Sequence, residues 1–374
     1  MEDILRTLVA FKTVTGDQAE CHKLLVYVAD YLSARGMHIR WFEHESYESL
    51  VASTKPDKKA FSVMLAAHVD VVAGPDRLFE LQKRGGKYIG RGVLDMKCAI
   101  AAYLKAVDEL QDNLQDYDFG IMLTSDEEMA GTGNVNGTVS LINEGYVPKM
   151  LILPDGGQDW QLEKSSNGYA HFTLIASGKT AHGSRPWEGE NAAFKIISTL
   201  QEVKEHFKDH GPETDTLNVS SIIADGPVNR IPDYAKAEIS IRIAKKDGLE
   251  GWIETFNDIC TKHSVKLIMR FGWEPHFNNM DNPYVERYAE LTEEITGVRV
   301  RGFHSYGGSD TRFFAELGVP YASAYPRGGG HHSDHEWLQV EALEQLGTIV
   351  TRYVQDMADI MLGDKQPEKV TAGK

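Results

Sequence analysis

Cysteine is nearly absent: Cys21, Cys98 and Cys260 are the only three in 374 residues. So few, odd in number and far apart, they exclude a disulfide framework and read as reduced, buried small residues of a cytoplasmic protein. Long hydrophobic runs are missing as well. No stretch approaches the roughly 20 apolar residues that span a bilayer. The opening Met1-Glu-Asp-Ile-Leu-Arg-Thr-Leu-Val-Ala has an acidic start and helical spacing, without the apolar segment of a signal peptide. Basic charge is scarce: 39 Lys and Arg against 55 Asp and Glu leave a net charge of −16. Neither nucleic acid nor an anionic membrane would be drawn to such a surface. Asn136-Gly-Thr and Asn218-Val-Ser match the glycosylation pattern, but with no secretion signal they read as chance.

What is present is enough chain for a large core and for two domains. Residues 2 to 36 show helical spacing that ends at Gly36, which fits two helices. Strand-like runs then alternate with helical ones: Ser62 to Ala67, Gly120 to Thr124 and Met150 to Leu153. That alternation predicts an α/β domain with a mostly parallel sheet. The texture changes near Tyr169. A strand from Ala170, a helix from Asn191 to Lys208, strands Leu217 to Ala224 and Ala237 to Ile243, a helix from Leu249 to His263 and a strand from Val265 to Arg270 follow in order. This order is that of a small two-layer α+β module. The α/β pattern returns after Pro275, with a helix from Pro283 to Gly297 and a strand from Tyr321 to Ala324. The expected parse is a discontinuous domain, 1–169 with 276–374, interrupted by a module at 170–275. The last dozen residues look frayed.

Each of the three early strands ends in a side chain that can hold a metal: His68, Glu127 with Glu128, and Asp155. In open α/β sheets ligands bind beyond the carboxyl ends of the strands, so these distant residues should converge. The run Phe119-Gly-Ile-Met-Leu-Thr-Ser-Asp-Glu-Glu closes on three consecutive acids, which repel one another unless a cation sits among them. In His68-Val69-Asp70 one side chain can ligate while the other orients it. Alone, such a pair is more often structural. Asp95, after Gly90-Arg-Gly-Val-Leu, precedes an alanine-rich helix and could equally be its N-cap. Three glycines precede His331, His332 and His335, which raises the odds that one of them ligates a metal. Together His68, Asp95, Glu128, Asp155 and one of these histidines offer two nitrogens and three oxygens. That mixture suits two divalent ions, zinc first and cobalt or manganese next.

At this point the chain resembles the co-catalytic zinc hydrolases of metallopeptidase family 20, which include aminoacylase, succinyl-diaminopimelate desuccinylase, carboxypeptidase G, peptidase T and carnosinase-type peptidases. The likeness spans nearly the whole chain. It rests on His68-x-Asp70, Gly92-Val-Leu-Asp95-Met-Lys, Asp126-Glu-Glu128, Pro154-Asp155, Ala181-His-Gly-Ser, Asn229-Arg-Ile-Pro, Gly308-Ser-Asp310 and His332-Ser-Asp-His-Glu336. The resemblance implies a three-layer catalytic domain with an inserted dimerisation lid, and two zinc ions per subunit. Asp95 would bridge them, with His68 and Asp155 completing one site and Glu128 and His332 the other. Glu127 would be the general base, and Asp70 would clamp the His68 imidazole. His182 would reach the partner subunit's site and stabilise the oxyanion. Asn229 and Arg242, with Gly308 and Ser309, would contact substrate. The implied substrate is a small peptide or an N-acyl amino acid.

Three positions depart from the commonest form. Cys98 stands where glycine is frequent, a packing variation. His331 beside His332 leaves the ligand ambiguous, and the resemblance, through the family's spacing to Glu336, implies His332. Asp155 replaces the glutamate of the desuccinylase and carboxypeptidase G branches and resembles the peptidase branches. The resemblance therefore implies a dipeptidase or short-peptide peptidase, with an N-acyl-amino-acid deacylase or desuccinylase as the alternative. The glycine-rich segment Gly131 to Gly137 has the wrong spacing for a dinucleotide fingerprint, and the acids before it would repel a pyrophosphate. A binding protein that kept this fold but lost catalysis would be expected to lack a ligand or the base, and all are present.

Overall fold

A computed structural model of the chain describes residues 1–129, 136–207, 211 and 214–363, the last six of these by their backbone. Most of the glycine-rich segment 131–137, the predicted helix end at Lys208 and nearly all of the last dozen residues lie outside them.

The large sheet has six strands in the spatial order His38–His44, Tyr47–Ser53, Phe119–Thr124, Val63–His68, Met150–Ile152 and Tyr321–Ala322. The last four run parallel to one another, and Tyr47–Ser53 is antiparallel to its two neighbours. The expected mostly parallel sheet is therefore present. Its central strands, Val63–His68 and Phe119–Thr124, are buried along their whole length. That explains their continuous apolar sequence, because a strand covered on both faces has no polar side to show. The helix Lys97–Leu110 packs on Val63–His68 and is itself covered by the helix Val340–Gly363. The helix Gln18–Ser33 packs on the outer strands, its start capped by Asp17, whose carboxylate accepts from Glu20 N–H at 3.2 Å.

The second sheet is wholly antiparallel: Thr216–Ile223, Tyr234–Ile243, Gly168–Ser177, Val265–Trp273. Along Tyr234–Ile243 the pleat alternates strictly. Ala235, Ala237, Ile239, Ile241 and Ile243 are buried, while Lys236, Glu238, Ser240 and Arg242 are only half-buried on the opposite face. The helices Ala192–Glu205 and Gly248–Lys262 pack against this sheet and complete an apolar core separate from that of the large sheet. The predicted order of strands and helices in this region is the observed one. The uncovered sheet face carries Tyr169, Arg242 and Trp273 side by side, since Tyr169 pairs with Arg242 on one strand and with Trp273 on the other.

Candidate metal centre and substrate cleft

His68 is the last residue of its strand, and Glu127 and Glu128 begin a 3-10 turn just past the neighbouring strand. Asp155 follows the third parallel strand, Met150–Ile152. These ends meet. His68, Asp95 and Glu128 form one group of ligand atoms within 4.8 Å of one another, and His68, Glu127 and Asp155 form a second. Asp95 lies between two imidazoles: its Oδ1 is 3.2 Å from His68 Nε2 and its Oδ2 is 3.1 Å from His332 Nε2. Glu128 Oε2 is 3.0 Å from the same His332 nitrogen.

The third acid of the run turns away. The Asp126 carboxylate accepts the Gly137 N–H at 2.9 and 3.1 Å, and burial, then the charge of Asp310, push its pKa up to about 7. Asp70 meets His68 through two groups. His68 Nδ1 sits 2.9 Å from the Asp70 carbonyl oxygen and 3.6 Å from its carboxylate. That carboxylate also accepts the backbone N–H groups of Glu127 and Glu128 at 3.2 and 3.0 Å and the Thr15 hydroxyl at 3.0 Å. Asp70 thus fixes the turn bearing both glutamates, and its main chain orients the histidine.

Asp95 is not a helix cap, because the helix begins at Lys97 after Met96. Its loop is held by Glu336, a fully buried residue. One Glu336 oxygen accepts from Leu94 and Asp95 N–H at 2.9 and 3.2 Å, and the other accepts from Gly92 N–H at 3.0 Å and Arg91 Nη1 at 2.9 Å. Glu336 was visible in the sequence as part of a motif, but its work on a loop some 240 positions away was not.

The two neighbouring histidines point to different places. His332 has φ +60° and its ring meets Asp95 and Glu128, whereas His331 stacks on Tyr325 with ring centres 5.5 Å apart. The turn that presents them needs glycine at Gly330, where φ is +71° and a Cβ would lie 2.5 Å from the His335 carbonyl oxygen.

Electrostatics follow from the crowding. Burial, then the charge of Asp155, push Glu127 well above the usual carboxylate range, and burial, then Asp95, do the same to Asp155. Burial opposes charge on Asp95, yet contacts with His332 and His68 outweigh it and hold that carboxyl well below the ordinary value. For His68, burial would lower the pKa, but hydrogen bonding to Asp70 and Asp95 reverses the sign and raises it. Contacts with Asp95 and Glu128 lift His332 to about 10. A donor set of two imidazoles and several carboxylates, gathered beside a cleft, fits divalent cations, which would neutralise charges that are otherwise costly to gather there.

The cluster forms one wall of a cavity of about 510 Å³. Asp95, Glu127, Asp155 and His332 face Arg242 and Gly308, so six of the sequence-predicted residues share this cleft. Ser309 does not line it. That residue is buried, with its hydroxyl 2.6 Å from Thr311 Oγ1. His182 and Asn229 also lie outside the lining; both are exposed and joined through the Gly183 N–H to Asn229 carbonyl bond of 2.7 Å. Sequence reasoning missed the aromatic wall. Arg242 lies over the Tyr169 ring at 4.6 Å, Tyr169 stacks on Trp273 at 5.0 Å, and Arg312 lies over Trp273 at 4.6 Å. Only the two-residue alternation of the strands could have signalled it.

A histidine and carboxylate cluster beyond the carboxyl ends of a mainly parallel sheet, opening on a cleft, defines a metal-dependent hydrolase. The chain belongs to peptidase family M20/M25/M40, whose model matches residues 64–356. It is 27% identical over 375 residues to a succinyl-diaminopimelate desuccinylase of Thiobacillus denitrificans, covering 94% of this chain and 93% of that protein. A second desuccinylase, from Bordetella petrii, is 26% identical and covers 95% and 97%. Among solved structures, a Staphylococcus aureus tripeptidase superposes with a TM-score of 0.80 at 19% identity, covering 96% of this chain and 98% of that one. Human carnosine dipeptidase 1 gives 0.69 at 15% identity, covering 96% of each. Among the described residues no helix is long and apolar enough to cross a membrane.

Proposed function

We propose that this enzyme hydrolyses the amide bond of a dipeptide or short peptide with free termini, using two divalent ions, zinc by preference. The observation that carries the reading is a single cleft with the histidine and carboxylate cluster on one wall and the Arg242 guanidinium on another. Asp95 is assigned as the shared ligand, His68 and Asp155 as the rest of one site, and Glu128 and His332 as the rest of the other. Bound there, divalent ions supply Lewis acidity, acidifying water and polarising an amide carbonyl. The chain's own groups do the rest. Glu127 accepts the proton of the attacking water and delivers it to the leaving amine. Arg242 is partly buried, with an aromatic ring as its neighbour and no ion pair among the described residues, so it is available to bind a substrate carboxylate through paired donors. The free amino group is assigned to the acidic wall at Asp155.

A second reading, removal of an N-succinyl or other N-acyl group, has support of its own. Desuccinylases are among its sequence relatives, and Arg312, which also donates to the Ser309 carbonyl at 2.8 Å and lies 3.7 Å from Asp310, adds a second cation to the cleft lining. Assay of the metal-loaded protein on a matched panel separates the two. A free dipeptide is expected to give a higher kcat/KM than its N-acetyl form or an N-succinyl amino acid; the reverse order would transfer the assignment to the deacylases.

We further propose that residues 170–275 form a dimerisation module and that His182 completes the partner subunit's site as an oxyanion donor. Exposed apolar side chains on this unit support a homodimer: Trp187, Phe194, Ile222 and Ile223 are between 44% and 77% exposed. Mixing inactive His182→Ala with inactive Glu127→Ala should restore part of the activity through hybrid dimers. An absence of recovery once subunit exchange has been demonstrated would remove this role. Three buried free cysteines suit a reducing, cytoplasmic setting.

A further inference from the structure

Tyr325 lines the cleft yet belongs to none of the motifs and has no role in the chemistry above. It lies just past the strand Tyr321–Ala322, and its hydroxyl donates to Asp155 Oδ1 at 2.6 Å, across 170 positions of sequence. The main chain ties the same two loops together. Tyr325 N–H donates to the Gly156 carbonyl at 2.7 Å, and Trp160 N–H donates to the Tyr325 carbonyl at 2.9 Å. The loop closes this tightly only because Gly157, at φ +63°, has no Cβ; one would lie 2.1 Å from the Gln161 carbonyl oxygen. On its other side the Tyr325 ring is stacked by His331 at an interplanar angle of 17°, and His331 in turn meets His332 nearly edge-on. Tyr325 is therefore immobilised at its backbone, its ring and its hydroxyl.

We propose that Tyr325 is a positioning residue that sets the Asp155 carboxylate for metal binding. An aspartate has two equivalent oxygens and a softly rotating carboxylate. With Oδ1 accepting from Tyr325, one oxygen is committed and the other is left, at a defined angle, for a cation. The short arm of aspartate makes this matter more, since it cannot adjust its reach as a longer side chain could. The inference rests on the ligand set proposed above. It also means that the Tyr325 hydroxyl is engaged with Asp155 and is not the donor to a developing oxyanion.

Tyr325→Phe removes the hydroxyl and keeps the stacked ring. Metal-stripped full-length protein would be titrated with Co(II), following visible absorption and heat. Wild type should show two binding steps. Tyr325→Phe should weaken one step by about 10- to 100-fold, the usual effect of losing a partner that orients a ligand, and leave the other unchanged. In an Asp155→Ala background, where the affected step is already lost, adding Tyr325→Phe should change nothing further. Two unaltered steps in Tyr325→Phe, including the case in which kcat falls while both steps persist, would overturn the inference and leave the ligand set intact. A wild type without two steps would reject the ligand set and this inference with it.

Discussion

Glu127→Ala is expected to retain its metal and lose about 10² to 10⁴ in turnover, the usual contribution of a positioned acid–base group, whereas its neighbour Glu128→Ala should lose metal together with activity. The two differ because one turn points them differently. Glu128 Oε2 is 3.0 Å from His332 Nε2 and its side chain is 6% exposed, so it is enclosed within the cluster. Glu127 lines the cleft where substrate would lie. Asp70 holds both backbone N–H groups, so either substitution should leave the turn in place. Metal analysis beside steady-state kinetics on the two variants checks this. Equal metal content in both would dissolve the division of labour.

Removal of metal should have the largest effect of all. Asp95, Glu127, Glu128 and Asp155 gather in one place with two imidazoles, and amide hydrolysis by these groups alone lacks a Lewis acid. Dialysis against a strong chelator should abolish turnover, and zinc, cobalt or manganese should restore it. Stability should follow the same course. A ligand that binds only the native state, present at 100 times its Kd, adds about 2.7 kcal/mol. The thermal midpoint should therefore climb with metal concentration. Full activity after exhaustive chelation would contradict the account.

Much of this was legible from sequence because burial on both faces writes a plain signal. Val63 to Ala67 and Phe119 to Leu123 carry no polar side chain, and the polar residues that follow them, His68 and the acids from Asp126 to Glu128, mark where the sheet opens. Other elements were less visible. The hairpin His38–His44 with Tyr47–Ser53 was missed because neither strand holds a strict apolar and polar alternation or a long apolar run, whereas the short strand Tyr321–Ala322 falls within the expected Tyr321 to Ala324. Predicted strand and helix ends shifted by one to three residues, as at Tyr234–Ile243, which starts before Ala237.

In the site, the histidines and carboxylates that gather there were legible and their supports were not. Glu336 on Asp95, Asp70 on the glutamate turn and Tyr325 on Asp155 each join segments far apart in sequence, so only the folded chain reveals them. That the Ser309 side chain is bonded inward to Thr311 was not visible either, because a motif match carries no side-chain direction. Arg242 was singled out by the family resemblance alone, and its aromatic platform was not visible, because Tyr169 and Trp273 come from different strands.

The central claim is that His68, Asp95, Glu128, Asp155 and His332 hold two divalent ions that the reaction requires. Elemental analysis of an active, desalted preparation, set against protein concentration from amino-acid analysis, tests it most directly. Two divalent ions per chain, with activity rising as the second is added back, is the predicted result. A fully active preparation carrying one ion or none would contradict it.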